Sequence, residues 1–205
     1  ANPDYIITTT IYMVNDMAEK QPNTRFEESG GGLYKIKGGI GHSDWSADGM
    51  QPHLADKMLE YLDENKDSDK PFFLYMALTA PHIPLFPSKE FKGKSKIGDY
   101  GDLVMMIDDI VGRVNRKLKE IGKYDTTIVM FAADNGCAGY INMDRINRKG
   151  HYPSYIYRGY KSHGWEGGHR IPFILSWGDR YGHVTDNSLV SLTDLYATFA
   201  DMLGY

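Results

Sequence analysis

Residues 71–84 read PFFLYMALTAPHIP: an unbroken apolar run at 72–78, then Thr79, then a loop in which prolines 81 and 84 flank His82. A continuous apolar run of this length is strand-sized, and the lack of polar alternation fits a strand buried on both faces, as in a parallel sheet covered by helices. The prolines make 80–87 a loop at the end of that strand. They also stiffen it, so an imidazole there is held at little entropic cost.

Outward from this run the chain alternates helix and strand signals. Upstream, Leu54, Met58, Tyr61 and Leu62 recur at helical spacing over 51–65, and the polar stretch 66–71 ends that helix. Downstream, 89–98 is rich in Lys and Gly, and Asp99 is placed to cap the next helix. Over 100–121, Leu103, Met106, Ile107, Ile110, Val111, Val114, Leu118 and Ile121 line one stripe, with Gly122 as the stop. A second apolar run, 127–133, ends in Asp134-Asn135-Gly136. A polar, aromatic and basic connection follows over 138–160, then a third strand at 171–177 and a last amphipathic helix at 192–203, stopped by Gly204. Residues 1–50 read as loop with short strands, apart from the apolar stretch 5–7; the Gly30–32 run lacks the Gly-Lys-Ser/Thr of a phosphate-cradling loop. This order implies an α/β sandwich with a mainly parallel sheet, in which ligands sit beyond the carboxyl ends of strands.

Composition excludes several classes. The 205 residues are 41% hydrophobic and 24% charged, as in ordinary globular proteins, and the net charge of −4 offers no basic field for nucleic acid. No apolar run approaches the ~20 residues of a spanning helix. Cys137 is the only cysteine, so no internal disulfide can form.

Three motifs carry chemistry. His82 sits in a rigid loop at a strand end, which suits a functional imidazole and equally a histidine bonded to its own backbone. Asp134 and Asn135 offer adjacent oxygens suited to a hard cation such as calcium, although Asp, Asn and Gly also make plain turns. Residues 158–172, RGYKSHGWEGGHRIP, crowd glycine, charge and aromatics before a strand, and Lys161 there is a candidate point charge for an anion.

In order and spacing these motifs resemble the sulfatase family of the alkaline phosphatase-like superfamily. Residues 71–84 resemble its strand-plus-histidine motif, and Asp134-Asn135-Gly136 its second pair of calcium ligands. GYKSHGWEGGHRIP at 159–172 is similar to its Lys…Glu-Gly-Gly-x-Arg-x-Pro segment, and TDLYATFADMLG at 193–204 to the helix that follows. The resemblance implies an alkaline phosphatase-like α/β sandwich, with residues 1–205 as the C-terminal part of its catalytic domain. It implies a sulfuric ester hydrolase acting on an aryl, glycan or lipid sulfate. Asp134 and Asn135 become ligands of one calcium ion; His82 and Lys161 contact the sulfate ester, one of them helping the leaving-group oxygen depart. Glu166, Gly167, Gly168 and Arg170 become scaffold for the lysine loop, and His163 and His169 receive no role. The implied partner is a sulfated small molecule or glycan, and the implied location is secreted, periplasmic or lysosomal.

The departures concern the nucleophile. The family's formylglycine is made from Cys or Ser in a Cys/Ser-x-Pro/Ala-x-Arg motif. Cys137 is followed by Ala-Gly-Tyr-Ile, and Ser154…Arg158 has Ile156 where Pro or Ala belongs. The family's early Asp-Asp metal pair and Gly-Lys-x-His segment are also missing. All three normally precede the point where this sequence starts, so the expectation is a fragment with an incomplete calcium site and no turnover of its own. Two alternatives stand beside this reading. One is a phosphoester hydrolase or mutase of the same superfamily with two transition metals, where histidine would be expected in place of Asn135. The other is a non-catalytic module that keeps the sandwich. The segment 138–160, with Tyr140, Arg145, Arg148, His151, Tyr152, Tyr155 and Tyr157, suits either a glycan-selecting surface or a solvated loop.

Overall fold

The computed structural model of the chain describes residues 13–14 and 17–205. The apolar stretch 5–7 lies outside the described residues. The elements are β1 (Met13–Val14), β2 (Met17–Ala18), β3 (Thr24–Phe26), β4 (Gly39–Gly41), α1 (Met50–Glu64), α2 (Asp99–Glu120), β5 (Ile128–Ala132), α3 (Met143–Arg148), α4 (Glu166–His169), β6 (Phe173–Trp177) and α5 (Asp194–Met202).

The core lies between α1 and α2. Ala55 and Met58 of α1 meet Leu103, Met106 and Ile110 of α2, and Leu85 and Phe91 from the intervening segment close the cluster. The α2 stripe read from the sequence is the buried one: Leu103, Met106, Ile107, Ile110 and Leu118 all face inward. Its termini suit the helix dipole, with Asp99 and Asp102 in the first turn and Lys117 and Lys119 in the last. Gly122 takes φ +69° just past the end, the left-handed conformation that stops a helix cheaply only at glycine.

Asp99 does not cap α2. Gly98 occupies the cap position without a side-chain bond, and the Asp99 carboxylate instead accepts from the Tyr34 hydroxyl at 2.8 Å and pairs with Lys92 at 2.6 Å. Asp102, fully buried, accepts from the Gly93 amide at 2.8 Å and the Ser95 amide at 2.5 Å, which fastens the Lys- and Gly-rich loop to α2.

The run 72–78 is extended, but it is not a strand buried on both faces. It enters no ladder among the described residues. Leu74, Met76 and Leu78 pack on the α1–α2 core, whereas Phe73 and Tyr75 are 73% and 79% exposed. An extended chain turns successive side chains to opposite sides, and only one side has a covering layer here. The Phe73 ring lies edge-on to Phe199 of α5 at 5.8 Å.

The sheet topology among the described residues also differs from the mainly parallel arrangement. Its ladders are antiparallel pairs, β1–β2, β3–β4 and β5–β6. In the longest, Ala132 at the end of β5 pairs with Phe173 at the start of β6. The intervening chain leaves and re-enters at one end instead of crossing over the sheet, and a return to the same end is what makes a pair antiparallel. This places the segment after β5 and the segment before β6 on one rim.

Candidate functional site on the sheet rim

Asp134, Asn135 and Gly136 follow β5, and Lys161 and α4 precede β6, so the register that joins Ala132 to Phe173 brings both motifs to the same edge. Main-chain contacts lace them together. The Gly136 amide donates to the Gly168 carbonyl at 2.9 Å, and the Lys161 amide donates to the Cys137 carbonyl at 2.8 Å. The Gly167 amide donates to the Arg158 carbonyl at 2.9 Å. A Cβ on Gly136 would overlap the Gly167 carbonyl oxygen, one on Gly167 the Gly159 carbonyl oxygen, and one on Gly168 the His163 carbonyl oxygen. The glycines are there because backbone meets backbone.

The outer side of α4 is tied by charge. Glu166 pairs with Arg170 at 2.9 Å and His169 at 3.3 Å, and the Arg170 guanidinium, first among the neighbours that hold the Glu166 carboxyl below its usual range, lies over the Tyr157 ring at 4.6 Å. Arg158 stacks on Trp165 at 3.9 Å. Ser162, directly after Lys161, sits at φ +74°, an uncommon conformation for a residue with a side chain.

His82 joins the rim from the proline loop that follows the run 72–78. Its Nδ1 lies 2.7 Å from the Ile83 carbonyl oxygen. A carbonyl can only accept, so Nδ1 carries the hydrogen and Nε2 is the nitrogen left for other chemistry. The His82 ring meets the edge of the Tyr140 ring at 5.9 Å. Tyr140 lies in the 3-10 turn Gly139–Ile141, four residues past Gly136, and its phenol is pushed up by burial, with the charges of Cys137 and Asp134 adding to the rise. The Tyr160 ring covers Gly139 from the lysine loop. One turn therefore touches all three segments.

The segments that carry the four side chains read from the sequence meet through main-chain bonds and the Tyr140 ring, and no hydrogen bond or ion pair joins His82, Asp134, Asn135 and Lys161 to one another among the described residues. Asp134 is exposed. Asn135 Nδ2 donates to the Gly136 carbonyl at 3.2 Å, which orients the amide and leaves Oδ1 as an acceptor. The pair thus offers oxygen donors of the kind calcium takes, but two residues fall short of its six or more oxygens. No group of three His, Cys, Asp or Glu suited to a metal is present among the described residues.

The sequence named Tyr140 only among the aromatics of 138–160 and not as a neighbour of His82, and it missed α3, whose Ile146 is buried and whose cap Asn142 accepts from the Arg145 amide at 3.1 Å. Of the aromatics in 138–160, Tyr155 and Tyr157 meet edge-on at 6.0 Å, and Tyr152 and Tyr155 are exposed.

This is an α/β protein of the alkaline phosphatase-like class, with its polar motifs on one sheet rim. The sulfatase family model matches residues 8–205, so the chain belongs to the sulfatase family. It is 33% identical over 162 residues to an N-acetylgalactosamine-6-O-sulfatase of Bacteroides thetaiotaomicron, covering 78% of this chain and 31% of that protein. It is 35% identical over 156 residues to an arylsulfatase of Hemicentrotus pulcherrimus, covering 76% of this chain and 27% of that one. Among solved structures it resembles a sulfatase from Pseudoalteromonas sp., with a TM-score of 0.66 and 31% identity over 77% of this chain and 30% of that one. The chain thus spans about a third or less of the length of these relatives.

Proposed function

We propose that the protein hydrolyses sulfate esters, and that this chain contributes the leaving-group and charge-stabilising side of the site. The supporting observation is the lacing of Asp134-Asn135-Gly136 to the Lys161 loop on the rim that His82 also reaches. A sulfate ester carries negative charge that repels a nucleophile, so fixed positive charge at its oxygens lowers the barrier. Lys161 serves as that point charge; its ammonium has no ion-pair partner among the described residues. His82, with Nδ1 engaged by Ile83, presents Nε2 toward the departing alcohol oxygen, and in the imidazolium form, where both nitrogens carry hydrogen, Nε2 donates its proton there and the ring returns to the neutral Nδ1–H state.

Asp134 and Asn135 would hold a calcium ion together with ligands from elsewhere in the domain, and that ion, when bound, supplies further charge neutralisation at the sulfate. Asn135, an oxygen donor where a two-zinc phosphoesterase would carry histidine, favours one hard cation. The nucleophile, a formylglycine in this family reading, belongs to a segment outside this chain, and the chain alone is expected to show no turnover. The similarity to an N-acetylgalactosamine-6-O-sulfatase supports a sulfated glycan as substrate. The family reading supports a secreted, periplasmic or lysosomal setting; no helix among the described residues is long and apolar enough to cross a membrane.

The test is hydrolysis of an aryl sulfate by the protein that joins this segment to a Cys/Ser-x-Pro/Ala-x-Arg segment. Lys161→Ala should lower kcat by roughly a hundredfold or more, the usual loss for a transition-state charge contact. Unchanged kinetics would remove Lys161 from the sulfate site, and preference for a phosphate monoester with two bound zinc ions would overturn the assignment.

A further inference from the structure

We infer that Tyr140 is a positioning residue for His82, holding the imidazole in the tautomer and orientation that expose Nε2 to the rim. Three observations converge. The Tyr140 ring stands at 75° to the His82 ring with centroids 5.9 Å apart, an edge-to-face contact of the favoured kind. The Ile83 carbonyl accepts from His82 Nδ1 at 2.7 Å, a bond that lasts only while the imidazole keeps its orientation. The ring that Tyr140 abuts is thus the one whose Nδ1 must stay turned toward the Ile83 carbonyl. Finally, Tyr140 is carried by the turn Gly139–Ile141, which the Tyr160 ring pins through Gly139, so its own position follows the laced loops and not the proline loop.

The chemistry follows from the tautomer. In isolation a neutral imidazole exchanges its hydrogen between the two nitrogens, and a hydrogen bond on one fixes which is which. If the ring were free to turn, Nδ1 would swing away from the Ile83 carbonyl and the bond that fixes the tautomer would be lost. Tyr140 thus does for His82 what an orienting group does for a catalytic base, without touching the substrate itself. The inference deepens the proposed function, since it rests on His82 acting through Nε2, but the positioning can be read without any turnover.

The experiment uses the 205-residue chain labelled with ¹⁵N, two pH units above the ordinary imidazole value of about 6.5. Long-range ¹H–¹⁵N spectra report the two tautomers, with the His82 signals assigned from a His82→Gln sample. The unmodified chain should show cross-relaxation between His82 and Tyr140 ring protons, and the Nδ1–H tautomer should dominate. Tyr140→Leu should lower the Nδ1–H to Nε2–H ratio by roughly fivefold, the effect of about one hydrogen bond, while the amide signals of Gly136, Lys161 and Gly168 stay in place. Tyr140→Phe, which keeps the ring contact, should lose less. An unchanged ratio in Tyr140→Leu overturns the inference. So does the absence of ring-to-ring cross-relaxation in the unmodified chain, a result that stands even where the leucine variant fails to fold. Neither outcome depends on sulfatase activity, so failure of the positioning and failure of the sulfate-ester reading are separately visible.

Discussion

The α1–α2 core and the rim are held together in opposite ways. In the core, side chains fill the space: Met58, Leu103, Met106 and Ile110 interlock, with Leu85 and Phe91 closing the cluster. On the rim, side chains are kept out: Gly136, Gly167 and Gly168 let carbonyls and amides approach until no Cβ would fit. A core of the first kind is damaged by taking atoms away and a rim of the second kind by adding them. The two meet at Tyr100 of α2, whose hydroxyl lies 3.4 Å from Cys137 Sγ, the residue that follows Gly136.

The largest effect should come from subtraction in the core. Met106 is 2% exposed, and Met106→Ala should cost about 2–5 kcal/mol in denaturant unfolding. A loss below that range would mean the core collapses into the gap and is not packed as described. Next comes addition on the rim. Gly136→Ala should cost about 1–3 kcal/mol, the range for overpacking, and should move the amide signals of Lys161 and Gly168 while leaving those of Met58 and Ile110 unshifted. If the core signals moved as far as the rim signals, the two regions would be one unit and the contrast would fail.

A smaller effect belongs to the junction. Burial, followed by the bond to Cys137, holds the Tyr100 phenol far above its ordinary value of about 10. The fold therefore binds that proton more tightly than the unfolded chain does. Its stabilising contribution is whole below pH about 10 and is lost as pH rises past it toward the folded value. Tyr100→Phe should flatten this alkaline decline in the unfolding midpoint; an equally steep decline in the variant would assign it to other groups. The smallest effect is at the exposed ion pair of Glu166 and Arg170. Glu166→Gln should leave the unfolding midpoint where it was, because solvent screens such pairs. A clear drop would show that charge, and not glycine packing, holds the lysine loop.

What the sequence disclosed follows the same division. The α2 stripe repeats for six turns, so periodicity located it to within one residue, and α1 was nearly as plain. β5 and β6 were visible as apolar runs, but a run carries no direction, and their antiparallel register depends on a connection whose short α3 and α4 leave no periodic trace. The run 72–78 misled for a related reason: an apolar residue states what it would cover, not whether a cover is present, and Phe73 and Tyr75 face outward. On the rim, Gly167 and Gly168 were legible as scaffold only through the resemblance of 159–172 to the sulfatase lysine segment. Tyr140 was not, because its importance lies in what it touches across the chain at His82, and one tyrosine among fifteen carries no mark of that.

The extended segment 72–78 has a practical consequence for anyone handling the isolated chain. It enters no ladder among the described residues, and it turns aromatic rings to the outside. Such an edge is a template on which another polypeptide can lay down hydrogen bonds. Light scattering should rise steeply with concentration, and a charged replacement at Phe73 or Tyr75, on the outward side and clear of the rim, should restore solubility without disturbing α1 and α2.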